Sequence, residues 1–391
     1  MNISRNILII LFSLFAVSML AIGRFYDSRL VIYGVNISVI ISTLYSVFAI
    51  SSILLFQKTS ISVYKLIRFL FYSSIIISTL FLWPIYGITD YGFEKLLNFI
   101  LITVPISIII SQKFNSKDRN FFILVLLSVS SFLFLITIYS FSSISLSRSG
   151  VLGGGPIVLS RWLCLGSLIL FFHPKLSKIK YLFVVLFIIM SLFTGSRGPF
   201  YSLFLVAILY FFINFRKVFW KTIIAISLIS SLIIISGIYT KLSEFNTVSR
   251  VFMNLKDGGT KKSTGRFIIY QTSFNEMVNY PMGIGSGNFD VYSDKRQHLL
   301  NKKIYHPHNL FLEIFIEFGL FSFLLFCLYI FYSIRISYQK NIKSSHKYGN
   351  LLFYTFAFLM LNSMISGDLN DARLLLVFIP LMNLKSDVNN L

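Results

Sequence analysis

Apolar runs, each close to the ~20 residues that cross a ~30 Å hydrocarbon core, recur along the whole length of this chain. Hydrocarbon offers no partner for an open backbone amide or carbonyl, so such runs cross it as helices. They predict an all-α polytopic integral membrane protein, one membrane domain over residues 1–391. About twelve transmembrane helices are expected, near 6–22, 31–56, 66–84, 95–111, 120–140, 156–173, 181–194, 199–215, 220–238, 308–333, 349–366 and 371–384. Only 13% of the residues are charged, where a soluble domain averages about 25%. The first run mimics a signal peptide, but with so many spans behind it an uncleaved first helix is expected. The run at 31–56 is longer than a crossing needs and rich in serine, which predicts a tilt or an interfacial turn.

The formal net charge is +21. In a soluble protein that would suggest nucleic acid; here Lys and Arg gather in short loops between spans, so the positive-inside rule accounts for it without a nucleic-acid partner. With the N-terminus inside, eighteen cations fall in cytoplasmic segments and seven in short outer ones, Arg68 among the former and Lys95 among the latter. This predicts a multi-pass protein with both termini in the cytoplasm and the long segment 239–307, between the ninth and tenth helices, on the outer side. Membrane lipids are the partner the charge implies. Cys164 and Cys327 both fall in predicted spans, which argues against a disulfide or metal framework.

Loops above ~15 residues are usually functional or disordered, and the composition of 239–307 is not that of a disordered segment. From Arg266 through Phe274 and Met277 to Val278, apolar residues recur at helical spacing until Pro281 stops them, which predicts a short amphipathic helix on the outer membrane face. Gly283, Gly285 and Gly287 follow, a turn in which backbone can approach a ligand closely.

Several polar residues stand out against this apolar background. Arg197, in Thr194-Gly195-Ser196-Arg197-Gly198-Pro199, is the only charge between residues 181 and 215. It is either an arginine snorkelling from a tight hairpin to headgroups or a planar fork of donors for phosphate oxygens. Arg266, near Lys261 and Lys262, is an ordinary solvated charge or part of a cationic patch that attracts a lipid diphosphate. His306 and His308 sit one residue apart where the long loop re-enters the membrane. They are interfacial side chains bonded to loop backbone, or groups matched to proton transfer near neutral pH. Metal ligation is disfavoured, because the chain has five His and no third ligand stands nearby. Glu313 and Glu317 lie one turn apart on the helix that follows; such acids are costly there unless used or paired, and Glu313 could complement the helix dipole or orient a histidine. Gly150–Pro156 lacks the nucleotide-loop pattern and reads as a shaper of helix approach. The Asp368–Arg373 turn reads as local Asp–Arg pairing.

In their order and spacing, the Ser-Arg-Gly turn, the long outer loop with an arginine, the Pro-x-Gly-x-Gly-x-Gly stretch and His306-Pro307-His308-Asn309…Glu313 resemble the O-antigen ligase and Wzy-type polysaccharide polymerase superfamily. The resemblance covers roughly residues 145–335. It implies a metal-independent, inverting glycosyltransferase of the bacterial inner membrane, without cofactor, acting at the outer face on glycans carried by undecaprenyl diphosphate. Donor and acceptor are both lipid-linked, and a chain-length regulator is a further partner the resemblance leaves room for. Arg197 and Arg266 then match the arginines that hold the donor diphosphate. His308 matches the catalytic base, with His306 and Glu313 as supports. Ser-Arg-Gly-Pro and His-Pro-His-Asn-Leu look more like an O-antigen or capsule polymerase than a ligase. A lipid-linked glycan flippase is the contrasting class, but its charges would line the bilayer midplane, whereas these converge on one predicted face.

Overall fold

The computed structural model describes residues 2–55, 62–141, 155–215, 263–292, 304–343, 348–365 and 367–384. Within them the chain is helical. The helices are α1 (Asn2–Ile22), α2 (Ile37–Leu55), α3 (Val63–Tyr86), α4 (Asp90–Asn98), α5 (Val104–Lys113), α6 (Ser116–Phe141), α7 (Pro156–Phe172), α8 (Lys180–Phe193), α9 (Arg197–Asn214), α10 (Ser263–Asn279), α11 (Phe289–Tyr292), α12 (Leu310–Ser337), α13 (Gly349–Ile365) and α14 (Arg373–Asn383). A π-turn, Phe99–Thr103, joins α4 to α5. Seven helical stretches among the described residues are long and apolar enough to cross a membrane, and α7, α8, α13 and α14 are shorter apolar helices. Each predicted run that falls on described residues is mostly helical, the run at 31–56 from Ile37 onward; the run at 220–238, the loop stretches 239–262 and 293–303, and residues 150–154 lie outside them. Large apolar side chains such as Leu54, Phe69 and Phe81 face outward, as a hydrocarbon solvent allows and water does not.

The long run at 31–56 divides. Its first six residues form a two-stranded hairpin, β1 (Val31–Ile32) with β2 (Val35–Asn36), before α2 begins. Asp27 anchors this loop: its backbone N–H donates to Ser38 Oγ at 2.9 Å and its carboxylate accepts the Arg29 N–H at 3.0 Å.

The chain divides into two compact units, Met1–Val129 with Gly265–Leu391, and Ser130–Thr264. In the first, polar contacts join helices at depth, where interhelical hydrogen bonds act as glue. Arg68 is buried within α3 and donates to the Ser107 carbonyl of α5 at 3.0 Å. Tyr72 bonds Ser107 Oγ at 3.0 Å and Tyr64 bonds Tyr329 of α12 at 3.1 Å.

The predicted amphipathic helix is α10, ended just before Pro281. Ile269 packs with Ile284, Phe289 and Ile316 into a small core that seats α10 and the glycine turn on α12. Phe274, Val278 and Met282 stay exposed at four-residue intervals. The turn's close approach is to the protein's own backbone. At Gly319, α12 breaks, with φ +82° and ψ 173°, a conformation natural to glycine alone. The break frees carbonyls that the turn then satisfies. Ile284 N–H donates to Ile316 O at 3.0 Å and Gly285 N–H to Glu317 O at 2.9 Å, while Leu320 N–H donates back to Pro281 O at 2.9 Å. A Cβ on Gly319 would collide with the Met282 carbonyl, and one on Gly287 with the backbone of Gly92.

In the second unit, α7 and α8 pack closely because Gly166 presents no side chain to Phe187, whose ring stacks on Phe134 at 4.5 Å. The turn between α8 and α9 is tied by Ser196 N–H to Thr194 Oγ1 at 3.2 Å and Thr194 Oγ1 to Ser191 O at 2.8 Å.

Candidate active site

The histidine turn precedes α12. Asn309 caps that helix, its Oδ1 accepting from Phe311 N–H at 2.9 Å and Leu312 N–H at 3.3 Å. The cap requires the chain to enter sharply, and His308 takes the turn with φ +57°. Left-handed backbone is sparse for a residue with a Cβ and is retained where surrounding structure over-determines it, often at functional sites. His306 Nδ1 accepts the His308 N–H at 3.3 Å, and the two rings meet at 4.3 Å with 72° between their planes. Accepting at Nδ1 places the proton of a neutral His306 ring on Nε2. Both rings are half-buried.

Behind the turn lies an ionic cluster in which the protein supplies both signs of charge. Lys95, from α4, donates to Glu313 Oε1 at 2.7 Å and Glu317 Oε2 at 2.5 Å, and all three side chains are 0% exposed. The acids share a face because they stand one turn apart on α12. Backbone N–H groups add to the cradle, Leu369 donating to Glu313 Oε1 at 3.2 Å and Gly287 to Glu317 Oε2 at 2.9 Å, while Glu313 Oε2 and Glu317 Oε1 are buried with no hydrogen-bond partner among the described residues. The glycine turn is therefore a direct partner of this cluster. Lys95 also lies 5.2 Å above the Tyr91 ring, a favourable cation–π placement in a dry setting.

Tyr91 links this cluster to the histidines. Its hydroxyl donates to Asp368 Oδ2, and its ring packs on Tyr305 at 5.4 Å. Burial works to raise the Asp368 carboxyl, but His306 and Lys95 nearby, with hydrogen bonds from Tyr91 and the Asp371 N–H, hold it down at about 2. Arg373 donates to the carbonyls of Leu20 at 2.7 Å and Asn370 at 2.6 Å. Through Tyr91, whose ring packs on Tyr305, Asp368 is tied to the segment that carries the histidine turn.

Within the first unit the structure brings together His306, His308 and Glu313 of the expected residues, and adds Lys95, Glu317, Tyr91 and Asp368. The Glu313 carboxylate is held by Lys95 and Leu369. Arg266 falls on α10, but its side chain and Lys261 and Lys262 lie outside the described residues. Arg197 belongs to the second unit, at the first position of α9 after its N-cap Ser196. Among the described residues no group of three or more His, Cys, Asp or Glu is arranged to hold a metal ion. Lys95 had a signal in the sequence: two acids one turn apart in an apolar helix need a cation, and Lys95 is a lone cation heading an apolar run. Nothing local to residue 95 showed that it was the partner.

These features define a multi-pass helical membrane protein with a strained histidine turn set on a buried ionic cluster. Residues 182–327 match the family model of the O-antigen ligases, a stretch that contains Arg197, Arg266, both histidines and Glu313, and the match supports the O-antigen ligase/Wzy superfamily. Members of that family are membrane enzymes acting on lipid-linked glycans. A search of the curated proteins finds no match.

Proposed function

We propose that this protein is a repeat-unit polymerase for O-antigen or capsule, working at the outer face of the bacterial cytoplasmic membrane. It transfers a growing glycan from undecaprenyl diphosphate to a hydroxyl of another lipid-linked repeat unit. The bond between anomeric carbon and diphosphate oxygen breaks as the bond to the acceptor oxygen forms on the opposite face, with inversion. His308 takes the acceptor proton. Arg197 and Arg266 stabilise the charge that develops on the departing diphosphate, Arg197 aided by the positive end of α9. The observation that carries this reading is the histidine turn: two imidazoles packed ring to ring, His308 on left-handed backbone, with the Asp368 carboxyl nearby. An activated sugar diphosphate needs such a base and cationic stabilisation, and no acid for its leaving group.

The matched family is described by its ligases, and a ligase would move finished polymer to a sugar of the lipid A core. Glycan analysis of a deletion strain separates the two. We expect a single repeat unit on the surface carrier; polymer stranded on undecaprenyl diphosphate would instead identify a ligase. Arg197→Lys is expected to lose about 10²-fold in elongation rate with normal membrane insertion, because an ammonium cannot reproduce bidentate contact with phosphate oxygens. An elongation rate close to wild type would remove Arg197 from the diphosphate site.

A further inference from the structure

A cavity of about 460 Å³ lies beside the loop that follows α1, lined by Arg24, Tyr26, Asp27, Arg29, Glu94 and Asn98 among others. Its volume falls in the roughly 300–1,000 Å³ range of small-molecule sites. Its cations are already matched: Arg29 forks onto Asp27 at 2.8 and 2.6 Å, and Arg24 reaches Glu94 at 3.4 Å. Such a lining has no net charge for an anion, yet it offers fixed donors and acceptors side by side. Asn98 is 5% exposed, and its Nδ2 has no hydrogen-bond partner among the described residues. A buried amide donor is seldom left unmade, because its desolvation goes uncompensated. Tyr26, 64% exposed, adds an aromatic face.

We propose that this cavity is a saccharide subsite, in which Asn98 donates to a sugar hydroxyl oxygen, the half-exposed Glu94 carboxylate accepts from a hydroxyl group, and Tyr26 packs on the apolar face of a pyranose. Charge-neutral, hydroxyl-rich ligands suit paired charges and an amide; a phosphate does not. The location fits a glycan that also reaches the histidine turn. Tyr91 and Lys95 on one side of α4 hold the ionic cluster, while Glu94 and Asn98 on the neighbouring side line the cavity. This assignment rests on the polymerase reading for its ligand, a sugar of the lipid-linked repeat unit.

The test titrates full-length protein in nanodiscs with the oligosaccharide released from the host's own surface polysaccharide. Asn98→Leu is expected to weaken binding about tenfold, the effect of losing one hydrogen bond from a buried amide. Leu101→Trp, which adds bulk at another lining position, should weaken it at least as much and guards against a folding defect in the first variant. Wild-type affinity in both folded variants overturns the proposal. So does a preference of the wild type for glycerophosphoethanolamine over the oligosaccharide, which would make the cavity a lipid headgroup site. Elongation by the wild type is scored separately. Variant-sensitive binding without elongation sinks the polymerase reading alone, and elongation with variant-insensitive binding sinks the subsite alone.

Discussion

Lys95→Met is expected to destabilise the protein by about 3–5 kcal/mol, the cost of leaving buried charge without its partner. Glu313 and Glu317 lie wholly out of solvent, and Lys95 is the cation that both carboxylates contact. The loss reaches past the pair itself. Glu317 also accepts from Gly287, and Glu313 from Leu369, next in sequence to Asp368. Removing the cation therefore loosens the glycine turn, the break in α12 and the turn that faces His306 together. Thermal unfolding in detergent should show a melting temperature lower by roughly 5 °C or more. The triple variant Lys95→Met, Glu313→Gln, Glu317→Gln should recover most of that loss, because the amides keep acceptors for the two backbone N–H groups without the charge. If Lys95→Met melts with the wild type, the cluster is not what holds α4 to α12.

The same cluster marks where the sequence was legible and where it was not. Hydrophobic runs located the helices because a bilayer forces every backbone group to be satisfied within its own segment, and α3, α6 and α12 follow from that alone. Pro281 and the apolar spacing before it located the end of α10. The acids Glu313 and Glu317 announced themselves by their cost. Their partner did not, because Lys95 is more than two hundred residues away in sequence and looked like a loop charge until α4 carried it inward. Arg68's bond to the Ser107 carbonyl, across thirty-nine residues, was likewise beyond any local pattern. The bond from Tyr91 to Asp368 spans more than two hundred residues, so the Asp368–Arg373 turn gave no local sign of it. The three glycines signalled close approach correctly in kind; that the thing approached was the broken helix at Gly319 depends on a pairing across about thirty residues, which no local pattern contains.

His308→Gly separates chemistry from architecture at the histidine turn. His308 holds φ +57°, a conformation that costs an L-residue about 1 kcal/mol and glycine little. The substitution should leave stability equal or raise it by about that amount, while elongation of lipid-linked repeats falls by about 10²–10⁴-fold, the usual contribution of a positioned base. A purely structural role predicts the opposite pairing, with activity kept or improved as strain is relieved. His306→Ala supplies the comparison. His306 accepts the His308 N–H and stands next to Asp368, so as a support its loss should lower the rate by less than that of His308 and leave some elongation. If His306→Ala abolishes elongation and His308→Gly retains it, the base is His306, oriented by Asp368, and His308 is the bend that presents it. Either result keeps proton transfer at this turn. Elongation within a few-fold of wild type in both variants would remove the turn from the chemistry and leave its strain without a functional cause.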